Sequence, residues 1–176
     1  MAKLTEQTGI LRAASSRGFT MVEVLVAVIV LSVGLLGLAG LQAASLRNNQ
    51  QSYMRSQSIL LVNDIAERMR ANLPGVQSAS YDQGAGAPAV AKVNCTTITG
   101  CSSADLASND LFEWTRDVGS SLPSGQALVC LDSTPNDGTG IADAHCDGVG
   151  PLFAIKLWWD DTRSGNIALF ATSFQP

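Results

Sequence analysis

Residues 24–46 contain no charged side chain, and only Ser32, Gln42 and Ser45 interrupt a run of Val, Leu, Ile, Ala and Gly. At about 1.5 Å of rise per helical residue the run reaches on the order of 34 Å, enough to cross a bilayer core of about 30 Å. Charged residues make up 15% of the 176-residue chain, below the roughly 25% usual for soluble proteins, and the apolar residues are concentrated here. That argues against a purely cytosolic globular protein. Ahead of the run, residues 1–18 hold Lys3, Arg12 and Arg17 against Glu6 alone, and the positive-inside tendency keeps this end in the cytoplasm. The remainder of the chain is then exported.

The exported part is acidic. Over residues 81–176 the cations are Lys92, Arg116, Lys156 and Arg163, against eleven carboxylates. A phosphate backbone needs the opposite field, so no nucleic-acid partner is expected.

An ordinary secretory signal would be cut after its apolar core and lose it. Here the order is reversed. The run Arg17-Gly18-Phe19-Thr20-Met21-Val22-Glu23 places a glycine between basic leader and apolar segment, and an acid four residues after an aromatic. This resembles the type IV prepilin processing site, the G/F-T-x-x-E pattern shared by type IV pilins and type II secretion pseudopilins. The resemblance implies that a membrane aspartyl prepilin peptidase cuts between Gly18 and Phe19 and methylates the new amino group of Phe19.

Glu23 has its own physical argument. A carboxylate costs about 2.5 to 3.5 kcal/mol near the bilayer centre and less at the interface, so it is kept where something binds it. The ammonium freed at Phe19 would stand four residues away on one helix face, and could neutralise Glu23 within a chain or between subunits. Gly34, Gly37 and Gly40 each cost roughly 1 kcal/mol against Ala in a helix, which close approach of neighbouring helices would offset.

Beyond Leu46 polar residues return, but Met54, Leu61, Ile65, Met69 and Leu73 keep a helical period. The spacing predicts one helix from about Phe19 to Asn72, stopped by Leu73-Pro74-Gly75. Residues 64–72 are similar to the end of the spine in PilV-type minor pilins. A Gly-, Ala-, Ser- and Pro-rich loop is expected over 74–92, then a helix over 105–122 with Leu111, Trp114, Val118 and Leu122 on one side. Strands are expected over 126–131, 152–159 and 167–174, the last two joined as a hairpin. Alternation of Phe153, Ile155, Leu157 and Trp159 predicts one buried sheet face, with Trp158 and Trp159 on opposite sides. The segments 111–114, 122–125, 129–130 and 155–161 are also similar to PilV-type heads. The fold class is α+β, a pilin-like long helix carrying a small antiparallel sheet.

Four cysteines allow three pairings, and export favours oxidation. The expected pairs are the sequence-local ones, Cys95 with Cys101 and Cys130 with Cys146. Zinc on these cysteines and His145 is disfavoured, because no paired C-x-x-C sets occur. The oxygen-rich loop over 132–143, with Asp147 nearby, could hold calcium, but its register fails the EF-hand pattern and a solvated acidic turn is expected instead. His145 is expected at the surface. No catalytic constellation, cofactor or metal site is anticipated.

The expected organisation is a leader over 1–18, a membrane or filament-core helix over 19–46, an amphipathic half over 47–73 and an exported head over 74–176. The resemblance implies a non-catalytic minor pilin that contributes to pilus initiation, assembly and adhesion. It implies an inner-membrane location before assembly and the filament surface after it. The implied partners are prepilin peptidase, the inner-membrane assembly platform, other minor pilins and the major pilin. The alternatives are a type II secretion pseudopilin and, in a different class, an adhesin or DNA-uptake binding module.

Overall fold

The computed structural model describes residues 18–84, 88–162 and 165–175. Residues 1–17, which hold nearly all of the expected leader, lie outside the described residues. The chain divides between Ser45 and Leu46 into two compact units.

Helix α1 runs from Met21–Ala71, 51 residues. In the first unit it exposes every residue. In the second, Met54, Ser58, Val62, Ile65 and Met69 are buried at steps of three and four, with Ala66 beside them, which defines one helix face. This corrects the expected stripe at two places. Leu61 only borders the core, and Leu73 is exposed because it lies past the end of α1.

The expected loop begins with a second helix, α2, over Leu73–Gln77. Asn72 ends one helix and starts the next, its side chain accepting from Gly75 N at 3.3 Å. Pro74 is tolerated there because first-turn N–H groups have no helical acceptor. Asn72 Nδ2 also donates to the Ser103 carbonyl at 2.8 Å. Gly75 permits this junction, since a Cβ would stand 2.5 Å from Asn72 Nδ2 and 3.0 Å from that carbonyl. A 3₁₀ turn over Val93–Thr96 follows.

Helix α3 spans Ser103–Ser121 and begins at Ser102, whose hydroxyl accepts from Asp105 N. Its buried Ala107, Leu111, Trp114 and Val118 repeat every three or four residues and face α1. Trp114 Nε1 donates to the Leu61 carbonyl at 2.8 Å, which pins α3 to α1.

Strands β1 (Gln126–Leu131), β2 (Phe153–Asp160) and β3 (Ile167–Phe174) form an antiparallel sheet in that order. Gln126 pairs with Trp158 and Phe153 with Phe174. Val129, Phe153, Ile155, Leu157, Trp159 and Phe174 join Val62, Ile65, Met69, Trp114 and Val118 in the main core. Each such side chain contributes about 1.5 to 3 kcal/mol by leaving water.

The sheet differs from expectation on its other face. Ala154, Lys156 and Trp158 are buried as well, and Leu128, Cys130, Ala154 and Trp158 form a second cluster with Ala144, Cys146 and Leu169 packed on it. The 132–147 segment folds back over this face, so Trp158 and Trp159 point to opposite sides and both are covered.

Candidate functional site

Three places gather functional chemistry: the start of α1, the polar junction at its end, and the loop over the outer sheet face. At the start, Gly18, Phe19 and Thr20 are exposed and precede the helix. Thr20 Oγ1 accepts from Glu23 N at 3.3 Å, and its carbonyl accepts from Val24 N at 3.3 Å. Thr20 is thus the cap residue, in the T-x-x-E arrangement that satisfies free first-turn donors. That signal stands in the sequence and the pattern reading passed over it, having assigned the threonine to the processing site alone.

The cap moves the helix start two residues beyond Phe19, so in the uncleaved chain Phe19 is not on a helical face with Glu23. It also leaves the Gly18–Phe19 peptide bond outside the helix, with no atom near Gly18 where a side chain would go. Glu23 sits in the first turn, where the helix dipole favours a negative charge. Behind it, the apolar stretch qualifies by length and hydropathy as a membrane span, and none of that window is buried. Gly34, Gly37 and Gly40 face open space.

At the other end of α1, Arg68 is the hub. Its Nε meets Asp64 at 3.1 Å, and its Nη1 meets Glu113 at 2.9 Å and Asp110 at 3.5 Å. Tyr81 donates to Asp110 at 2.6 Å and accepts from Asn72 at 3.2 Å. Burial, the largest effect, pushes the Asp110 carboxyl up against the opposing pull of Tyr81 and Arg68. The hydrogen bond from Arg68 holds Glu113 down. Burial and then the Asp110 hydrogen bond push the Tyr81 phenol up. This network joins α1, α2, α3 and the segment after α2, and its role is to hold the head's frame. Arg70 lies over the Phe174 ring, 5.5 Å from its centre, which ties the same helix end to β3.

The outer loop is held by a lysine that the sequence reading did not single out. Lys156 is fully buried, its Nζ 2.5 Å from Asp132 Oδ2 and 2.7 Å from Asp137 Oδ1, and it donates to the Ala144 carbonyl at 2.8 Å. Burial pulls the ammonium down, but the hydrogen bonds and charges of Asp132 and Asp137 outweigh it and hold Lys156 above its ordinary value. The expected solvated acidic turn is therefore wrong for Asp132, which is buried. Asp143 accepts from Thr139 and meets His145 Nε2 at 2.8 Å, and Asp147 binds Ser133. The loop's carboxylates are thus engaged by the chain's own donors, with an ammonium at their centre. The available hint was a lone Lys inside an apolar strand, opposite a loop of acids.

Cys95 is joined to Cys101 and Cys130 to Cys146. The second bridge fastens the far end of the outer loop to β1. Cys130, Asp132 and Cys146 lie close enough to ligate one ion, but both sulfurs are spent in the disulfide and offer no thiolate. His145 is exposed.

Two family models match the sequence. The prokaryotic N-terminal methylation motif matches residues 14–39, and the type IV pilin Tt1218 model matches residues 40–112. The matches abut each other and stop within α3. No curated protein and no solved structure matches the chain.

Proposed function

We propose that this chain, which belongs to the type IV pilin family, is a minor pilin of PilV type. As a member of that family it is a structural subunit of a pilus or pseudopilus, not an enzyme, and is processed by a prepilin peptidase. The finer reading has residues 1–18 removed as a leader and Phe19 methylated. Residues 19–46 wait in the inner membrane and then enter a filament core. Residues 47–73 and 74–176 form the exported part.

One observation carries this reading: an exposed, non-helical Gly18–Phe19 bond leads directly into a fully exposed apolar helix half. The first feature suits a protease. The second suits an exchange of solvents, because lipid tails and neighbouring apolar helices bury such a surface equally well. Glu23 adds direction, since it would gain an ammonium from a processed N-terminus in a bundle and finds none in hydrocarbon. The disulfide-closed loops and the acidic head are where other minor pilins, the major pilin and surface ligands would be recognised.

The test is intact mass and N-terminal analysis of the protein from sheared filaments and from membranes. A chain beginning at methylated Phe19 in sheared filaments supports both processing and incorporation. The same start confined to the cell envelope would favour a pseudopilin, and a start at Met1 or Ala2 would overturn the account of the N-terminus.

A further inference from the structure

We infer that a cleft between α1 and the β2–β3 hairpin takes the headgroup of a membrane phospholipid, with Arg55 on its phosphate and Asp161 on an ammonium. The inference rests on the proposed membrane residence of residues 19–46. The cleft has a volume of about 390 Å³ and is lined by Asn48, Gln51, Ser52, Arg55, Trp159 and Asp161, among others. The four α1 residues follow the i, i+3, i+4, i+7 spacing of a single helix face. That face carries amides, a hydroxyl and a guanidinium, and no carboxylate occurs on α1 between Glu23 and Asp64.

Two charges share the cleft without pairing. Among the described residues no carboxylate lies within ion-pair distance of Arg55, although Arg68, Arg70 and Arg116 each have one. Among the described residues Asp161 Oδ1 accepts only a long bond, 3.3 Å, from Trp159 Nε1, so the carboxylate keeps acceptor capacity. A cation and an anion held apart over one cleft complement a zwitterion, here a phosphate bearing an ammonium, as in phosphoethanolamine. A guanidinium is the side chain best shaped for phosphate oxygens.

Position along the chain names the source of that phosphate. The uncharged run ends at Leu46 and the first cleft residue is Asn48, with exposed Arg47 between them. The headgroup layer adds roughly 5 to 7 Å beyond the hydrocarbon core, which at about 1.5 Å per residue is the helix length from 47 to 51. Helical side chains lean toward the N-terminus, so Arg55 reaches back over Gln51 and Ser52 into that layer. The acidic head would thereby hold its most membrane-near cations on lipid phosphate until assembly withdraws the helix.

The experiment uses the full chain. Extraction from membranes at alkaline pH comes first: release without detergent defeats the membrane reading itself, whereas a requirement for detergent leaves the cleft to be judged alone. Native mass spectrometry then follows lipid adducts from micelles holding equal amounts of phosphatidylethanolamine, phosphatidylglycerol and phosphatidylcholine with identical acyl chains. The wild-type chain should retain phosphatidylethanolamine preferentially. Arg55→Gln should lower that adduct by about tenfold or more, the loss of one charge-assisted hydrogen bond. Asp161→Asn should abolish the preference while sparing total lipid retention, and Arg116→Gln should change nothing. Equal retention of the three headgroups, an adduct unchanged in Arg55→Gln, or a preference unchanged in Asp161→Asn overturns the assignment.

Discussion

From Met21 to Leu46, α1 exposes every side chain, most of them Val, Leu, Ile or Ala; from Met54 to Met69 the same helix buries one stripe and leaves Arg55, Asp64 and Glu67 outside. The backbone hydrogen-bonding is alike in both stretches, so it does not account for the difference. In the first, apolar groups surround the helix and no face is preferred, which is the pattern for a helix whose solvent is lipid or other helices. In the second, one face is paid for by Trp114, Val118 and Ile155 packing on it. A single secondary structure thus serves two solvents, and the sequence changes its periodicity where the solvent changes.

Substitutions separate the two stretches. Ile65→Ala in the buried stretch should destabilise the head by about 2 to 5 kcal/mol, the range for large-to-small core changes; Leu31→Ala should leave the thermal melt of the head where it is. A comparable loss from both would mean the exposed stretch also packs on the head. Leu31→Arg reverses the roles: at about 2.5 to 3.5 kcal/mol for a charge at the middle of a span, membrane integration should fall while the head's melt stays unchanged, as extraction and calorimetry would show.

A smaller effect distinguishes the carboxylates at the end of α1. Glu113 titrates below its ordinary value, chiefly through the Arg68 hydrogen bond, so the stability it contributes is present above the ordinary glutamate range and is lost as pH falls through the lowered value. Asp110 is raised by burial and has the opposite sign, its contribution being full in acid and lost as pH rises through the raised value. Melts against pH should show Glu113→Gln flattening the acid-side loss, and Asp110→Asn reducing the decline toward neutral pH. An acid limb unchanged in Glu113→Gln would remove Arg68 as its cause. The smallest effect is at the other end. Thr20→Ala should cost the first turn about 1 kcal/mol of cap stability, seen as faster amide exchange over residues 21–24 with no change in the head.

Much of this architecture was legible before any coordinates. Strands 126–131 and 167–174 match β1 and β3, because alternating apolar residues between turn-forming stretches leave few other options. The stripe of Leu111, Trp114 and Val118 likewise announced α3. Leu73 was misplaced because periodicity was carried one residue past Asn72, where a cap starts a new helix. Lys156 was missed for a deeper reason. Its burial depends on Asp132, Asp137 and the Ala144 carbonyl arriving from a loop that is distant along the chain, and pattern reading along one strand cannot register that arrival.

The amino-acid sequence alone determined that a charge-free apolar run precedes an acidic, cysteine-bearing head, that Gly18 and Phe19 lie between that run and a basic leader, and where helices and strands begin to repeat. Those features depend on neighbours a few residues apart, whose spacing and chemistry act locally. Only the tertiary structure decided that the sheet is covered on both faces, that an ammonium rather than water meets the loop's acids, and that Arg55 and Asp161 share a cleft. All three depend on segments far apart along the chain being brought together, and for the buried ammonium this is favourable only once every partner is in place.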